Sequence, residues 1–308
     1  MKILGTVILI FGGFILLLLI KIKINANKPM AEEGYWDKVK TSAEIETKYM
    51  RLGDCIVKTA EYPIAGERWT NYTVWYPEEM EYEDKSYPLI VMSNGTGVQN
   101  SKYEPVFKHL SSWGFIVIGN DDISSGIGDS ASKSLAYIMD LSENKECVFY
   151  KKIDMRSIGI AGHSQGGVAT IHALYNFDNS NLYKAAYTSS AATETVIKSW
   201  KLRDFEYDIS KVNIPIFMVA GVGKTDSNTL SPLNDMKINF DQTGGSAIIA
   251  RKKETDHGEM LYAANGYMVA WFRYCLLNDE DAKKAFVGEK AEILNNENWQ
   301  DIHIKLFN

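Results

Sequence analysis

After residue 50 the sequence alternates between strand-like and helix-like segments, and this alternation limits the possible folds more than any other feature. Short apolar runs bounded by turn residues predict eight strands: Cys55–Thr59, Tyr72–Tyr76, Leu89–Met92, Phe115–Ile118, Ser157–Ala161, Ala185–Tyr187, Ile214–Ala220 and Ala247–Ala250. Apolar residues at helical spacing predict intervening helices: Glu104–Trp113, Ser132–Leu141, Gly166–Asn176 and Tyr262–Leu277. This order is typical of βαβ units, so we predict an α/β fold with a mostly parallel central sheet and helices on both faces.

Composition narrows the classes of function. The chain has 308 residues, of which 45% are hydrophobic and 23% charged, as in an ordinary globular protein. A net charge of −6 without a dense basic stripe argues against a nucleic-acid partner. Cys55, Cys147 and Cys275 form no pair or cluster at zinc-ligand spacing, so we predict no metal and no other cofactor. One disulfide among them is possible if the domain lies outside the cell.

The N-terminus is a separate segment. From Ile3 to Ile20 the sequence has 18 uncharged residues, with lysines on either side. A helix of that length spans about 27 Å, close to the thickness of a bilayer core. We predict that residues 1–24 are a transmembrane anchor, with a cleaved signal peptide as the alternative. Residues 25–50 would be a tether and residues 51–308 the folded domain. We expect this domain to be membrane-anchored and extracytoplasmic, as is usual after a short N-terminal anchor. The alternative is the opposite orientation, which the larger number of lysines after the stretch favours.

The strongest local motif is Gly162-His163-Ser164-Gln165-Gly166-Gly167, a Gly-x-Ser-x-Gly pattern. It follows a predicted strand and begins a predicted helix, which is the setting of a nucleophile elbow. In such an elbow the serine hydroxyl stands clear of the backbone. Residues 162 and 166 must be small because neighbouring chain segments approach the turn closely. We therefore predict Ser164 as a nucleophile.

A base and an acid are expected at later strand ends, because catalytic groups on parallel sheets collect at the carboxyl edge. Of the five histidines, only His257 follows a late predicted strand and precedes a helix. Asp226 follows the penultimate predicted strand, and Asp235 is the alternative acid. The order Ser164, Asp226, His257 is that of a serine triad, in which the histidine takes the serine proton and the aspartate orients the imidazole.

A tetrahedral oxyanion would need backbone N–H donors. Gln165, the residue after the serine, is expected to supply one at the first turn of its helix. The loop Ser93-Asn94-Gly95-Thr96-Gly97 follows another predicted strand, and its glycines allow close backbone approach. We predict Thr96 as the second donor; the alternative is that this loop is a simple glycine turn.

With these motifs the chain resembles the α/β-hydrolase superfamily, in particular its dienelactone hydrolase, chlorophyllase and bacterial cutinase-like (polyester hydrolase) branch. The resemblance covers about residues 70–290. It includes the oxyanion loop, the elbow, Asp256-His257-Gly258 and the C-terminal stretch from Gly266 to Asp281. It implies a carboxylic-ester hydrolase with Ser164, Asp226 and His257 as the triad.

Two departures from that branch narrow the expected substrate. Polyester hydrolases resemble one another in an aromatic residue in the oxyanion loop and in a Pro-Trp pair after the sixth strand. This chain has Thr96 and approximately Ser189-Ser190-Ala191 there. Between Tyr187 and Lys211 the chain is too short for a large lid. We expect a small-molecule ester with a small to medium acyl chain; the alternatives are an amidase or acyltransferase with the same triad, or an inactive binding module.

Overall fold

The computed structural model describes residues 29–306, which form a nine-stranded sheet with helices on both faces. The strands are β1 Val57–Pro63, β2 Asn71–Pro77, β3 Tyr87–Ser93, β4 Ile116–Asn120, β5 Ile153–His163, β6 Ala185–Ser189, β7 Ile216–Gly221, β8 Ala247–Lys252 and β9 Trp299–Lys305. Their order is β1-β2-β4-β3-β5-β6-β7-β8-β9. All neighbours from β4 to β8 are parallel, whereas β1, β2 and β9 join antiparallel at the two edges. The predicted mostly parallel sheet is confirmed.

The helices are α1 Tyr35–Lys38, α2 Glu44–Met50, α3 Glu104–Ser112, α4 Asp129–Glu143, α5 Gln165–Ala173, α6 Glu194–Ser199, α7 Leu233–Gln242, α8 Met260–Ala263, α9 Asn265–Leu277, α10 Glu280–Lys283 and α11 Glu292–Asn295.

The hydrophobic core has two parts, one on each face of the sheet. Successive side chains of a strand point to opposite faces, so each central strand contributes residues to both parts. In β3, Ile90 packs with α3 and α9, while Val91 packs with α4 and α5. Both faces of the sheet are therefore covered, as the alternating pattern predicts.

Strand β9 is absent from the sequence-based prediction. Its sequence alternates apolar and polar residues, and most of its side chains are only half-buried. It pairs antiparallel with β8, with Ile304 opposite Ile248. An edge strand with one solvated face lacks the continuous apolar run that identifies the central strands.

Residues 31–50 pack against the domain, which differs from the predicted tether. Ala31, Tyr35, Tyr49 and Met50 are all at most 2% exposed and belong to the core formed with α3 and α9. The predicted boundary at residue 51 therefore cuts through a packed region. Sequence reasoning missed this because the segment is polar on average and its apolar side chains are spread over two short helices.

Buried hydrogen bonds attach this segment to α3 and α9. The Tyr35 hydroxyl lies 2.7 Å from Nδ1 of His109 and accepts a hydrogen bond from Asn265. The other ring nitrogen of His109, Nε2, faces the backbone carbonyls of Tyr49 and Arg51 at 2.9 and 3.1 Å. A carbonyl only accepts, so Nε2 carries the proton and Nδ1 accepts from Tyr35. His109 is thus a structural residue that is buried in its neutral form.

A buried ion pair makes a second attachment. The Lys252 ammonium at the end of β8 lies 2.7 Å from the Glu46 carboxylate of α2, and both side chains are at most 5% exposed. Glu46 also accepts hydrogen bonds from Trp299 and Asn296. The carboxylate therefore has three donors, one at the end of β8 and two in residues 296–299. A buried charge is tolerated when it is paired and hydrogen-bonded in this way.

We expect the free energy of unfolding to fall as the pH drops from about 6.5 to 4, partly through His109. Burial lowers the pKa of His109 to about 4. In this range the unfolded chain binds a proton at His109, whereas His109 of the native state stays neutral. The free energy of unfolding therefore decreases as the pH falls. Urea unfolding at pH 7 and pH 4.5 should show that His109→Gln loses less stability than wild type, by about 2 kcal/mol. Equal losses in the two proteins would contradict this account.

Between residues 29 and 306 there is no helix long and apolar enough to cross a membrane. The predicted anchor, residues 1–24, lies outside the described residues. Cys55, Cys147 and Cys275 are all half-buried and unpaired, so the structure contains no disulfide between them.

Candidate active site

Ser164 lies at a strained turn between β5 and α5. Its backbone has φ 59° and ψ −125°, a left-handed φ that residues other than glycine rarely adopt. A Cβ at Gly162 would lie 2.1 Å from the Gly166 carbonyl oxygen, and one at Gly166 would lie 2.1 Å from the Ser93 oxygen. No side chain larger than hydrogen fits at either position at these distances. The structure thus has the close approach of chain segments that the sequence predicts at residues 162 and 166.

A chain of hydrogen bonds joins Ser164, His257 and Asp226. Nε2 of His257 lies 3.0 Å from the Ser164 hydroxyl, and Nδ1 lies 2.9 Å from Oδ1 of Asp226. The imidazole is 22% exposed and the Asp226 side chain is fully buried. The structure thus brings the three residues together from the ends of β5, β7 and β8. Asp235, the alternative acid, is on α7, and the carboxylate bonded to Nδ1 of His257 is that of Asp226.

Asp226 is held by two further donors. Its Oδ2 accepts hydrogen bonds from the Ser190 hydroxyl at 2.5 Å and from the Gly221 N–H at 2.7 Å. These bonds leave Oδ1 directed at the imidazole. Sequence reasoning did not assign Ser190 a role; its position directly after β6, on the same sheet edge, is the signal that could have found it.

Asp256, next to the histidine, connects the two loops. Its carboxylate accepts hydrogen bonds from the N–H groups of His257, Thr225 and Asp226 at 2.8, 3.1 and 3.3 Å. Burial raises the pKa of Asp256 and these backbone donors lower it, with a net decrease. Asp256 therefore connects the two loops, and the carboxylate bonded to the imidazole is that of Asp226.

His163, the last residue of β5, contacts the loop that carries His257. Its Nε2 lies 2.7 Å from the His257 carbonyl oxygen, so Nε2 is the protonated nitrogen and donates. Nδ1 is buried and has no partner among the described residues. Burial, together with the charge of neighbouring His257, lowers the pKa of His163 to about 4. This residue stays neutral near pH 7 and holds the His257 backbone in place.

Two backbone N–H groups near Ser164 are available for an oxyanion. In the loop after β3, the Gly95 N–H bonds the Tyr103 hydroxyl, the Gly97 N–H bonds a backbone carbonyl, and the Val98 N–H bonds Gly95. Within residues 29–306, the N–H groups of Thr96 and Gln165 donate no such bond. Thr96, Ser164 and Gln165 line one cavity. Tyr103, which fixes this loop, was not identified from the sequence.

The cavity beside Ser164 is small and mostly apolar. Its volume is about 120 Å³. The walls come from α5, from the connection between β6 and β7, and from the segment after β7. They consist of Val168, Ala192, Ile197, Trp200, Leu202, Phe205 and Leu230. Across residues 29–306 no group of three His, Cys, Asp or Glu side chains could hold a metal ion.

The mostly parallel sheet, the serine at a strand-to-helix elbow and the later aspartate and histidine loops define an α/β-hydrolase-like fold. Residues 74–285 match the Chlorophyllase family, which is more than half of the chain, and the chain belongs to that family. This membership indicates a hydrolase that acts on esters. No curated protein matches the sequence.

Proposed function

We propose that the protein is a serine hydrolase that cleaves carboxylic esters through an acyl-enzyme intermediate. The observation that carries this proposal is the hydrogen-bonded series Ser164, His257, Asp226. It lies beside the N–H groups of Thr96 and Gln165, which have no backbone acceptor within residues 29–306. Nucleophile, base, orienting acid and candidate oxyanion donors in one place support a role in acyl transfer.

In the first half of the reaction, the Ser164 oxygen attacks the acyl carbon while its proton passes to Nε2 of His257. The carbonyl oxygen becomes an oxyanion that accepts hydrogen bonds from Thr96 and Gln165. His257 then gives the proton to the alkoxide as the ester C–O bond breaks, and the alcohol leaves. Asp226 holds the Nδ1 proton and stabilises the imidazolium.

In the second half, water attacks the acyl-serine and gives a proton to His257. The tetrahedral intermediate collapses, the bond from carbon to the Ser164 oxygen breaks, and that oxygen takes the proton back from His257. The carboxylic acid is released and the serine is restored.

The cavity limits the acyl chain. An apolar cavity of about 150 Å³ can hold a benzene molecule, so about 120 Å³ of space fits a chain of roughly five carbons. For p-nitrophenyl esters, kcat/KM should rise about fourfold for each added methylene up to that length and then fall. The expected optimum is therefore butanoate to hexanoate.

Phe205→Ala should move this optimum to longer chains, because it removes a ring from the cavity wall. Tyr82→Ala is a suitable control, since this exposed aromatic residue lies outside the cavity. Hydrolysis without any dependence on chain length would show that the acyl group does not use this cavity. Absence of hydrolysis for every ester, with correctly folded protein, would contradict the proposed function itself.

We also propose that residues 1–24 attach the enzyme to a membrane and that the folded domain lies on the extracytoplasmic side. The length of the uncharged stretch Ile3–Ile20 supports the attachment. The usual topology of a short N-terminal anchor supports the orientation, although three lysines follow the stretch and one precedes it, which by itself favours the opposite side.

A further inference from the structure

Four exposed apolar side chains lie on the two chain segments that meet beside the cavity. Trp200, Leu202, Ile123 and Ile127 expose between 40% and 53% of their surface, and we call them the apolar rim. Trp200 and Leu202 also line the cavity that contains Ser164.

The two isoleucines lie in the loop that follows β4, beside the oxyanion loop and the opposite cavity wall. The Ile123 carbonyl accepts a hydrogen bond from Gly97 at 2.9 Å. Gly126 packs so closely on the Phe205 ring that a Cβ there would lie 2.1 Å from a ring carbon. The loop that carries the two isoleucines therefore packs directly against the cavity wall that carries Trp200 and Leu202. Exposed large apolar side chains grouped around a site indicate a surface that is covered in use.

Two cations alternate with the apolar residues in the segment 200–203. Lys201 and Arg203 are both exposed, and they directly follow Trp200 and Leu202 respectively. Neither cation forms an ion pair with any described residue. Aromatic and aliphatic side chains interleaved with unpaired cations are suited to the boundary between lipid headgroups and acyl chains.

The chain also enters the folded domain at this edge of the sheet. The Met30 N–H donates to the Lys102 carbonyl at 3.0 Å, and Lys102 lies between the oxyanion loop and the start of α3. Only eight residues, 21–28, separate the uncharged stretch Ile3–Ile20 from Pro29. The nine residue steps from Ile20 to Pro29 can span at most about 32 Å. A membrane that holds the apolar stretch would therefore be close to the carboxyl edge of the sheet, where the apolar rim lies.

We propose that the apolar rim docks on an anionic phospholipid surface. Trp200, Leu202, Ile123 and Ile127 enter the boundary between headgroups and acyl chains, while Lys201 and Arg203 contact lipid phosphates. The cavity opening then faces the lipid, so esters dissolved in the membrane reach Ser164 without crossing water. This last consequence rests on the proposed function; the docking itself does not.

Hydrogen–deuterium exchange of the full chain tests the docking locally, because the N-terminal stretch would dominate any bulk binding assay. The protein is compared with vesicles of phosphatidylglycerol, with vesicles of phosphatidylcholine and without lipid. We expect peptides covering 121–128 and 198–205 to exchange about fivefold more slowly with phosphatidylglycerol. Ser164→Ala should give the same protection, so a failure of the hydrolase proposal would leave this result unchanged.

Two pairs of variants identify the groups responsible. Ile123→Ser with Ile127→Ser should abolish the protection. Lys201→Gln and Arg203→Gln should each reduce docking on anionic vesicles by about fivefold. Met155→Ser and Lys145→Gln are matched controls, since both residues are exposed near the start of β5, at the opposite edge of the sheet. Both controls should keep wild-type protection.

Three results would overturn the proposal. The first is unchanged exchange at the rim while peptides from residues 1–28 become protected, which would mean that the N-terminal stretch binds alone. The second is equal protection with both lipids and in the cation variants. The third is no binding to either vesicle.

Discussion

Replacing Ser164 with alanine should lower kcat for ester hydrolysis by about 10⁴- to 10⁶-fold. The substitution removes the only hydroxyl that contacts Nε2 of His257 in the described structure. The remaining N–H donors and the cavity can still orient an ester and stabilise an oxyanion, so a slow rate above that in water should persist. Steady-state hydrolysis of p-nitrophenyl butanoate measures the effect.

Ser124→Ala is a matched control, because Ser124 is an exposed serine in a loop next to the site. It should keep the wild-type rate. A fluorophosphonate probe should add one label to wild type and to Ser124→Ala, but none to Ser164→Ala. Equal labelling of Ser164→Ala, or hydrolysis at a comparable rate, would show that a different nucleophile acts.

The largest effect on stability should come from Lys252→Met. This change leaves the fully buried Glu46 carboxylate without its ammonium partner. Breaking a buried pair from one side costs about 3–5 kcal/mol, a large part of the stability of an ordinary domain. Chemical denaturation of the full chain, followed by far-ultraviolet circular dichroism, measures the loss.

The double variant Glu46→Gln/Lys252→Met should recover part of that loss, because it no longer buries an unpaired charge. Lys40→Met is the matched control. Its ion pair with Glu254 is highly exposed, so the change should be within about 0.5 kcal/mol. A loss at Lys252→Met as small as at Lys40→Met would mean that the pair does not fasten α2 to the sheet.

The central sheet could be predicted from sequence because its strands are buried on both faces. Ile90 and Val91 illustrate this: adjacent residues pack into opposite cores, so the strand is apolar throughout. The same criterion fails at β9, where one face is solvated. It fails again at Tyr35 and Tyr49, whose burial depends on a surface that distant parts of the chain form.

The site shows a similar division. Ser164, Asp226 and His257 could be selected because each follows a strand that ends at the same edge, and strand order is visible in the sequence. Ser190 also follows a strand at this edge and could have been selected by the same rule. His163 and Tyr103 could not be assigned in this way. Each acts through one hydrogen bond to a loop, and such bonds depend on atomic positions that composition and spacing do not encode.

The carboxylate of Asp256 has a mechanical consequence. Because it accepts N–H groups from both the Asp226 loop and the His257 loop, a displacement of one loop pulls the other with it. The aspartate and the imidazole therefore keep their spacing when either loop shifts. The hydrogen bond from His163 to the His257 carbonyl ties the same pair of loops to the end of β5, so the alignment of all three triad members is set by backbone contacts.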